Sequence, residues 1–261
     1  MSDDPATTAV EDCTRRIDEL YGDELLDEAG VLHVMAVWRA PTGPLVTLTT
    51  GAAMPVSHTD PFALRVARAR ADAIITTGRN LREEPRLTHA LASTRAAMPA
   101  LEQWRRRRLG KTEAPLSVVL TGGDGLDLQH PLFRTAARSV VLTSNAAAAR
   151  LRSELRGTTV DAVGVEAPSV RAAIDWLRQE RKMTSVLIEA GPSTSSQLYA
   201  EPTVVDELML SMHLSPEIDD EARAPEFLDL ERVREVLPVE RSTRTITEPS
   251  GPWRYMRLTR C

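Results

Sequence analysis

The sequence predicts an α/β protein with a mixed, mostly parallel central sheet, helices on its faces and an antiparallel hairpin at the C-terminal end. Three observations carry this. Between residues 116 and 188, short apolar β-like runs alternate with stretches of helical spacing, the pattern of repeated strand–helix–strand units. Residues 233–247 and 253–258 read as two arms closing around a turn from Pro249 to Pro252, which adds antiparallel strands and makes the sheet mixed. A chain of 261 residues, 42% of them hydrophobic, is long and apolar enough for one large α/β domain.

The elements follow in order. Residues 1–30 read as a tail and one helix, with an apolar stripe at Ile17, Leu20, Leu25 and Leu26 and a stop at Gly30. Residues 31–38 form a β-like run broken by Pro41, Gly43 and Pro44, and 45–50 form a second one closed by Gly51. Residues 61–70 have helical spacing at Phe62, Leu64, Val66 and Ala67, and 73–77 are a short buried strand ended by Gly78. Residues 90–114, with Trp104 and the run Arg105 to Arg108, read as an insertion. Beyond it, strands are expected over 116–120, 139–143, 159–165, 185–188 and 207–214. Helices are expected over 146–155 and 169–180, with a third through Ser196 and Leu198. The expected organisation is a tail and helix over 1–30 and one domain over 31–261, interrupted near 90–114.

Several function classes are disfavoured. A net charge of -5 argues against a general nucleic-acid binder, which needs an excess of Lys and Arg. No apolar run reaches the roughly 18 residues of a membrane span. The first residues are acidic and polar, unlike a secretory signal. Cys13 and Cys261 suit neither a zinc site nor a disulfide framework, so a cytoplasmic setting is expected. His33, His58, His89, His130 and His213 lack metal-ligand spacing, and no metal is expected. The arginine block at 105–108 is isolated in an acidic chain, and a solvated helix face or a partner contact is expected of it.

The strongest chemical signal is the stretch from Val186 to Ser195. An apolar strand runs into a small-residue turn, and hydroxyl residues then open a helix. Unpaired N–H groups and a partial positive charge at such a helix start suit a phosphate or pyrophosphate. Ser193, Thr194 or Ser195 would cap the helix or donate to that phosphate. An ordinary capped turn has the same spacing. Thr121-Gly122-Gly123 and Thr143-Ser144-Asn145 place small and hydroxyl residues at two further strand ends, where open α/β sheets gather ligands. Turn chemistry favours the same residue types. Arg79, beside another strand-end turn, has the fork geometry for a phosphate; a solvated surface arginine is the other reading.

The segment Val186 to Ser195 resembles the strand–Glu-Gly-Gly-Pro–helix element of the riboflavin-biosynthesis pyrimidine reductases, the C-terminal reductase domain of the bifunctional deaminase/reductase. Val205-Asp206-Glu207-Leu208 resembles the family's Val-Asp-Glu-Leu. Residues 68–88 resemble its helix–strand–turn, with matches at Asp72, Ala73, Ile74, Glu84, Pro85, Leu87 and Thr88. Departures are Ala190 for the first glycine of the motif, Asn80 for a threonine and Thr77 for a glycine. Residues 39–44 carry neither Asp nor Lys where the family has Ser-Leu-Asp-Gly, and Pro55-Val56-Ser57-His58 lacks the family's tryptophan.

The resemblance implies a dihydrofolate-reductase-like fold, NADPH as cofactor, a homodimer, and hydride delivery to a ribosylamino-pyrimidine that opens the ribose to a ribityl chain. With no zinc deaminase signature in the sequence, a stand-alone reductase is expected. It places Glu189 against the reacting centre. Thr77, Gly78, Arg79, Asn80, Thr121, Gly122, Thr143, Ser144, Ala190, Gly191, Pro192, Ser193 and Thr194 are the implied cofactor contacts. Ser57, His58, Arg68, Glu84, Arg86 and Leu87 are the implied substrate contacts. A small-molecule substrate is the expected partner, with neither nucleic acid nor membrane. Two alternatives stand beside this reading: a reductase of another pterin or pyrimidine, and a non-catalytic nucleotide-binding or assembly module that keeps the fold.

Overall fold

The short apolar runs pair side by side. In the computed structural model, residues 5–22, 25, 30–40, 43–91, 98–123 and 125–260 are described. The expectations placed on Leu26, Pro41 and the tail before Pro5 lie outside those residues. Six strands run parallel: β1 (Gly30–Arg39), β3 (Ala73–Thr77), β4 (Leu116–Leu120), β5 (Ser139–Ser144), β6 (Val160–Val165) and β7 (Ser185–Ile188). A seventh, β8 (Glu207–His213), lies parallel to β1 on its other side. The hairpin of β10 (Val239–Glu248) and β11 (Gly251–Thr259) then adds antiparallel strands against β8. The order is β10-β11-β8-β1-β7-β3-β4-β5-β6, and a ribbon of β2 (Leu45–Leu48) and β9 (Arg223–Glu226) hangs from the end of β1. This is the mixed, mostly parallel sheet with a terminal hairpin that the sequence predicts.

Successive residues of β1 point to opposite faces. Val31 enters one core with Ile75, Val118, Val186 and, from helix α7 (Val170–Glu180), Ile174 and Leu177. Leu32 enters the other with Ile74, Leu187 and, from α2 (Asp60–Arg70), Val66 and Ala67. Helix α1 (Pro5–Tyr21) adds Ile17 and Leu20 to the second core, and α4 (Met98–Leu109) adds Trp104. Each such fully buried aliphatic side chain contributes on the order of 2 kcal/mol. The amphipathic spacing explains α7: Val170, Ala173, Ile174 and Leu177 form its buried stripe, and Ser169 Oγ accepts from Ala172 N at 3.1 Å to cap it. Smaller helices occupy strand ends and loops: α3 (Gly78–Glu83), α5 (Pro131–Thr135), α6 (Asn145–Glu154), α8 (Pro192–Ser195) and α9 (Leu230–Val236).

Three expectations are corrected. The first helix ends at Tyr21 with Gly22 at φ +82°, and Gly30 opens β1 instead; Gly22 supplies the left-handed residue that helix ends favour. The first arm of the hairpin begins at Val239 rather than 233, because Val233 and Leu237 sit one helical turn apart and are both fully buried by α9. The arginine block is not uniformly solvated. Arg106, Arg107 and Arg108 are exposed, but Arg105 is buried and donates to the carbonyls of Ala69 and Ala71 at 2.6 and 2.7 Å. Lys111 Nζ donates to Arg70 O at 2.6 Å and lies 2.8 Å from Asp72 Oδ1. The last carbonyls of a helix lack partners within it, and here Arg105 and Lys111 supply their donors. Among the described residues no helix is long and apolar enough to cross a membrane.

Candidate functional site

Parallel strands put their C-terminal ends on one edge, and Glu189 follows β7 there by one residue. Its backbone N donates to Ile75 O at 2.8 Å, which ties the end of β7 to β3. Arg68, near the end of α2, donates from Nε and Nη2 to the two carboxylate oxygens of Glu189, each at 2.7 Å. The side chains are only 7% and 9% exposed. Burial alone would raise the Glu189 pKa; the paired guanidinium outweighs it and holds the carboxyl below its ordinary range.

Glu84 lies beside this pair. Burial first, and the charge of Glu189 second, push its carboxyl above the ordinary glutamate range, partly offset by Arg68 and a hydrogen bond with Thr50. His89 completes the cluster from behind. It is buried, its Nδ1 lies 2.8 Å from Ser117 Oγ, and burial lowers its pKa to about 4. One guanidinium thus faces two carboxyls, of which Glu189 is held ionised and Glu84 keeps its proton to higher pH.

The neighbouring strand tips are interlocked. Thr77 Oγ1 accepts from Asn80 N at 3.1 Å and donates to Asn80 Oδ1 at 2.8 Å, while Asn80 Nδ2 donates to Glu189 O at 3.1 Å. Asn80 therefore joins the ends of β3 and β7. A β-carbon on Gly78 would stand 2.8 Å from Thr121 Oγ1, so only glycine lets the tips of β3 and β4 approach. Arg79 is exposed and paired with Glu83 at 2.6 Å.

The bend after Glu189 reaches solvent. Ala190 packs its methyl group against the core, and Ser195 Oγ donates back to Ala190 O at 2.7 Å. Gly191, Pro192 and Thr194 are half-buried and Ser193 is exposed. A β-carbon on Gly191 would meet nothing within 4 Å, and the same holds for the exposed Gly122. Ser144 is half-buried and caps α6 by accepting from Ala147 N at 3.3 Å. Thr143 does not reach the edge. It is fully buried, with Oγ1 3.1 Å from where a Gly123 β-carbon would stand, because inward-facing strand positions are covered by the following helix.

The six implied substrate residues do not converge on one place. Arg68 and Glu84 join Glu189. Arg86 is exposed and Leu87 packs on the cluster around Leu132 and Leu151. Ser57 Oγ accepts from Thr59 N and Asp60 N at 3.1 and 2.9 Å and lies 2.8 Å from the Tyr255 hydroxyl. His58 is exposed, and its N donates to Glu248 Oε2 at 3.0 Å. Ser57 caps the start of α2 and His58 is held to the β10–β11 hairpin through Glu248, with β8 and β1 lying between that hairpin and β7. Thr50 and His89 stand outside the implied contact residues yet join the Glu189 cluster. No local pattern marks them, because their neighbours at the site come from other strands.

A family model described as the RibD C-terminal domain matches residues 46–214. Among solved structures, a pyrimidine reductase-like protein from Corynebacterium diphtheriae is similar over 94% of this chain and 98% of its own, with 20% identity and a TM-score of 0.63. RibD of Acinetobacter baumannii is similar over 88% of this chain with 18% identity and a TM-score of 0.59. The Thermotoga maritima diaminohydroxyphosphoribosylaminopyrimidine deaminase/5-amino-6-(5-phosphoribosylamino)uracil reductase gives 89%, 17% and 0.52. The match takes in 58% and 57% of the latter two chains. No curated protein matches the sequence.

Proposed function

The chain belongs to the RibD C-terminal domain family, and on that premise we propose that it is an NADPH-dependent reductase of a ribosylamino-pyrimidine. The observation that carries the reading is the juxtaposition of an open bend, where a Gly191 β-carbon meets nothing within 4 Å, with the buried Arg68–Glu189 pair. A dinucleotide fits this edge. The backbone from Ala190 to Pro192 and the hydroxyls of Ser193 and Thr194 would hold its pyrophosphate, and Thr77, Gly78, Asn80, Thr121, Gly122 and Ser144 line the neighbouring tips. Thr143, being enclosed, is left out of the contact set.

When bound, NADPH supplies the hydride. The chain's own groups have other work. Arg68 fixes the Glu189 carboxylate so that it presents a defined charge to the substrate. Glu84 carries a proton at a pH where an ordinary glutamate has lost it, and reduction at the ribosyl carbon consumes a proton together with the hydride. Asn80 keeps the β3 and β7 tips in register beneath both. A homodimer belongs to the same proposal, and its test is the mass in solution.

Ser57, which caps α2, and His58, which is bonded to Glu248, stand away from Glu189 and favour a second reading: a nucleotide-binding module without turnover. Fluorescence titration with NADPH, followed by NADPH consumption with 5-amino-6-(5-phosphoribosylamino)uracil, separates the two. Binding with turnover that Glu189→Gln removes supports the reductase. Binding without turnover on pyrimidine or pterin substrates supports the module, and absence of binding removes both.

A further inference from the structure

Resting on the dinucleotide reading above, we propose that Arg82, rather than Arg79, recognises the phosphomonoester of the cofactor, at the adjoining tips of β3 and β4. Arg79 is the residue whose position in the sequence invites that role, but its guanidinium is already paired with Glu83 at 2.6 Å. Arg82 is exposed and has no hydrogen-bond or ion-pair partner among the described residues. Its Nη1 lies 3.6 Å from where a Gly78 β-carbon would stand, and Thr121 Oγ1 lies 2.8 Å from the same point. The guanidinium is therefore laid across the end of β3, next to a hydroxyl at the end of β4.

The two groups are complementary to a phosphate. Thr121 Oγ1 accepts from Gly123 N at 3.2 Å, which leaves its proton free to donate outward. Arg82 offers a planar fork of donors, the geometry that suits phosphate oxygens. Gly122 beside them is exposed and would place a side chain in open space, so the backbone does not block a ligand. The distance is also suitable. Neighbouring strands stand about 4.8 Å apart, so the end of β4 lies roughly 10 Å along the edge from that of β7. With the pyrophosphate at Ala190–Thr194, the adenosine ribose and its 2′-phosphate would be within reach of the β3 and β4 tips.

The test compares Arg82→Ala, Arg79→Ala and the unaltered protein in titrations with NADPH, NADH, adenosine 2′-phosphate and adenosine 5′-phosphate. Arg82→Ala is expected to weaken NADPH and adenosine 2′-phosphate by roughly 10- to 100-fold, the size of one lost charge-assisted contact, and to leave NADH within about threefold. Arg79→Ala is expected to change all four by less than about threefold. Loss of NADPH affinity in Arg79→Ala with none in Arg82→Ala overturns the assignment, as does an equal loss of NADPH and NADH in Arg82→Ala. An unaltered protein that binds NADPH and NADH alike removes the role of Arg82 while the dinucleotide site stands. One that binds neither removes the site and the assignment together.

Discussion

Arg68 and Arg70 stand two residues apart on α2, yet they end in different kinds of surroundings. Helix α2 lies over β1 and sends one guanidinium to each neighbouring strand. Arg70 meets Glu207 at the start of β8, where Arg257 of β11 completes a triad whose side chains are 1%, 4% and 1% exposed. Arg68 meets Glu189 at the end of β7, where Glu84 stands beside the pair and the bend at Gly191 opens to solvent. Both are bidentate contacts in nearly dry surroundings. One is enclosed by protein on every side, and the other has an open edge. The contrast teaches that burial of an ion pair does not by itself mark a functional centre; the reductase reading rests on the second pair because a polar group with a perturbed pKa and room for a ligand stand beside it.

The largest expected effect breaks the closed side. Glu207→Ala strands two buried arginines and should cost about 3–5 kcal/mol of stability, read by urea denaturation. The pH dependence runs the same way. Burial opposes ionisation of Glu207, but Arg70 and Arg257 hold its pKa down to about 2 from an ordinary 4.5. A depressed carboxyl stabilises fully above the ordinary value and is lost as pH falls, so about 3 kcal/mol should drain between pH 4.5 and 2. Glu207→Gln should flatten that part of the acid-denaturation curve.

Next comes the open side. Glu189→Gln should lower turnover on the order of 100-fold, equivalent to about 3 kcal/mol of transition-state stabilisation, measured as NADPH consumption. Its cost in stability should be smaller than that of Glu207→Ala, because removing the Glu189 charge takes away one cause of the raised Glu84 pKa and lets Glu84 ionise beside Arg68. Equal losses of stability in the two variants would erase the distinction between the two arginines. Asn80→Ala removes the link between the β3 and β7 tips and should cost about 1 kcal/mol, with KM rising several-fold. Ala190→Gly is expected to change NADPH affinity by less than about threefold, since the methyl group packs on the core and not toward the open edge.

The alternation of strands and helices from 116 to 213 was legible because short buried strands and amphipathic helices leave periodic patterns that neighbours do not disturb. The hairpin and the arginine block were less so. Val233, Val236 and Leu237 fit a strand arm or a helix equally, and burial on α9 decides between them. Arg105 looks like its three exposed neighbours until the carbonyls of Ala69 and Ala71 come within reach. The family motif pointed to Glu189, but no local signal could pair it with Arg68, 121 residues away. Thr143 had the right residue type at the right strand end, and only the packing of Gly123 over its hydroxyl shows that it is enclosed.

The proposed reductase requires a dinucleotide spanning the ends of β7, β3 and β4. A crystal structure of the protein grown with NADPH tests this most directly. It should show the pyrophosphate against Ala190–Thr194 and the nicotinamide beside the Arg68–Glu189 pair. NADPH bound at another edge of the sheet, or an edge that stays empty at saturating NADPH, would contradict it.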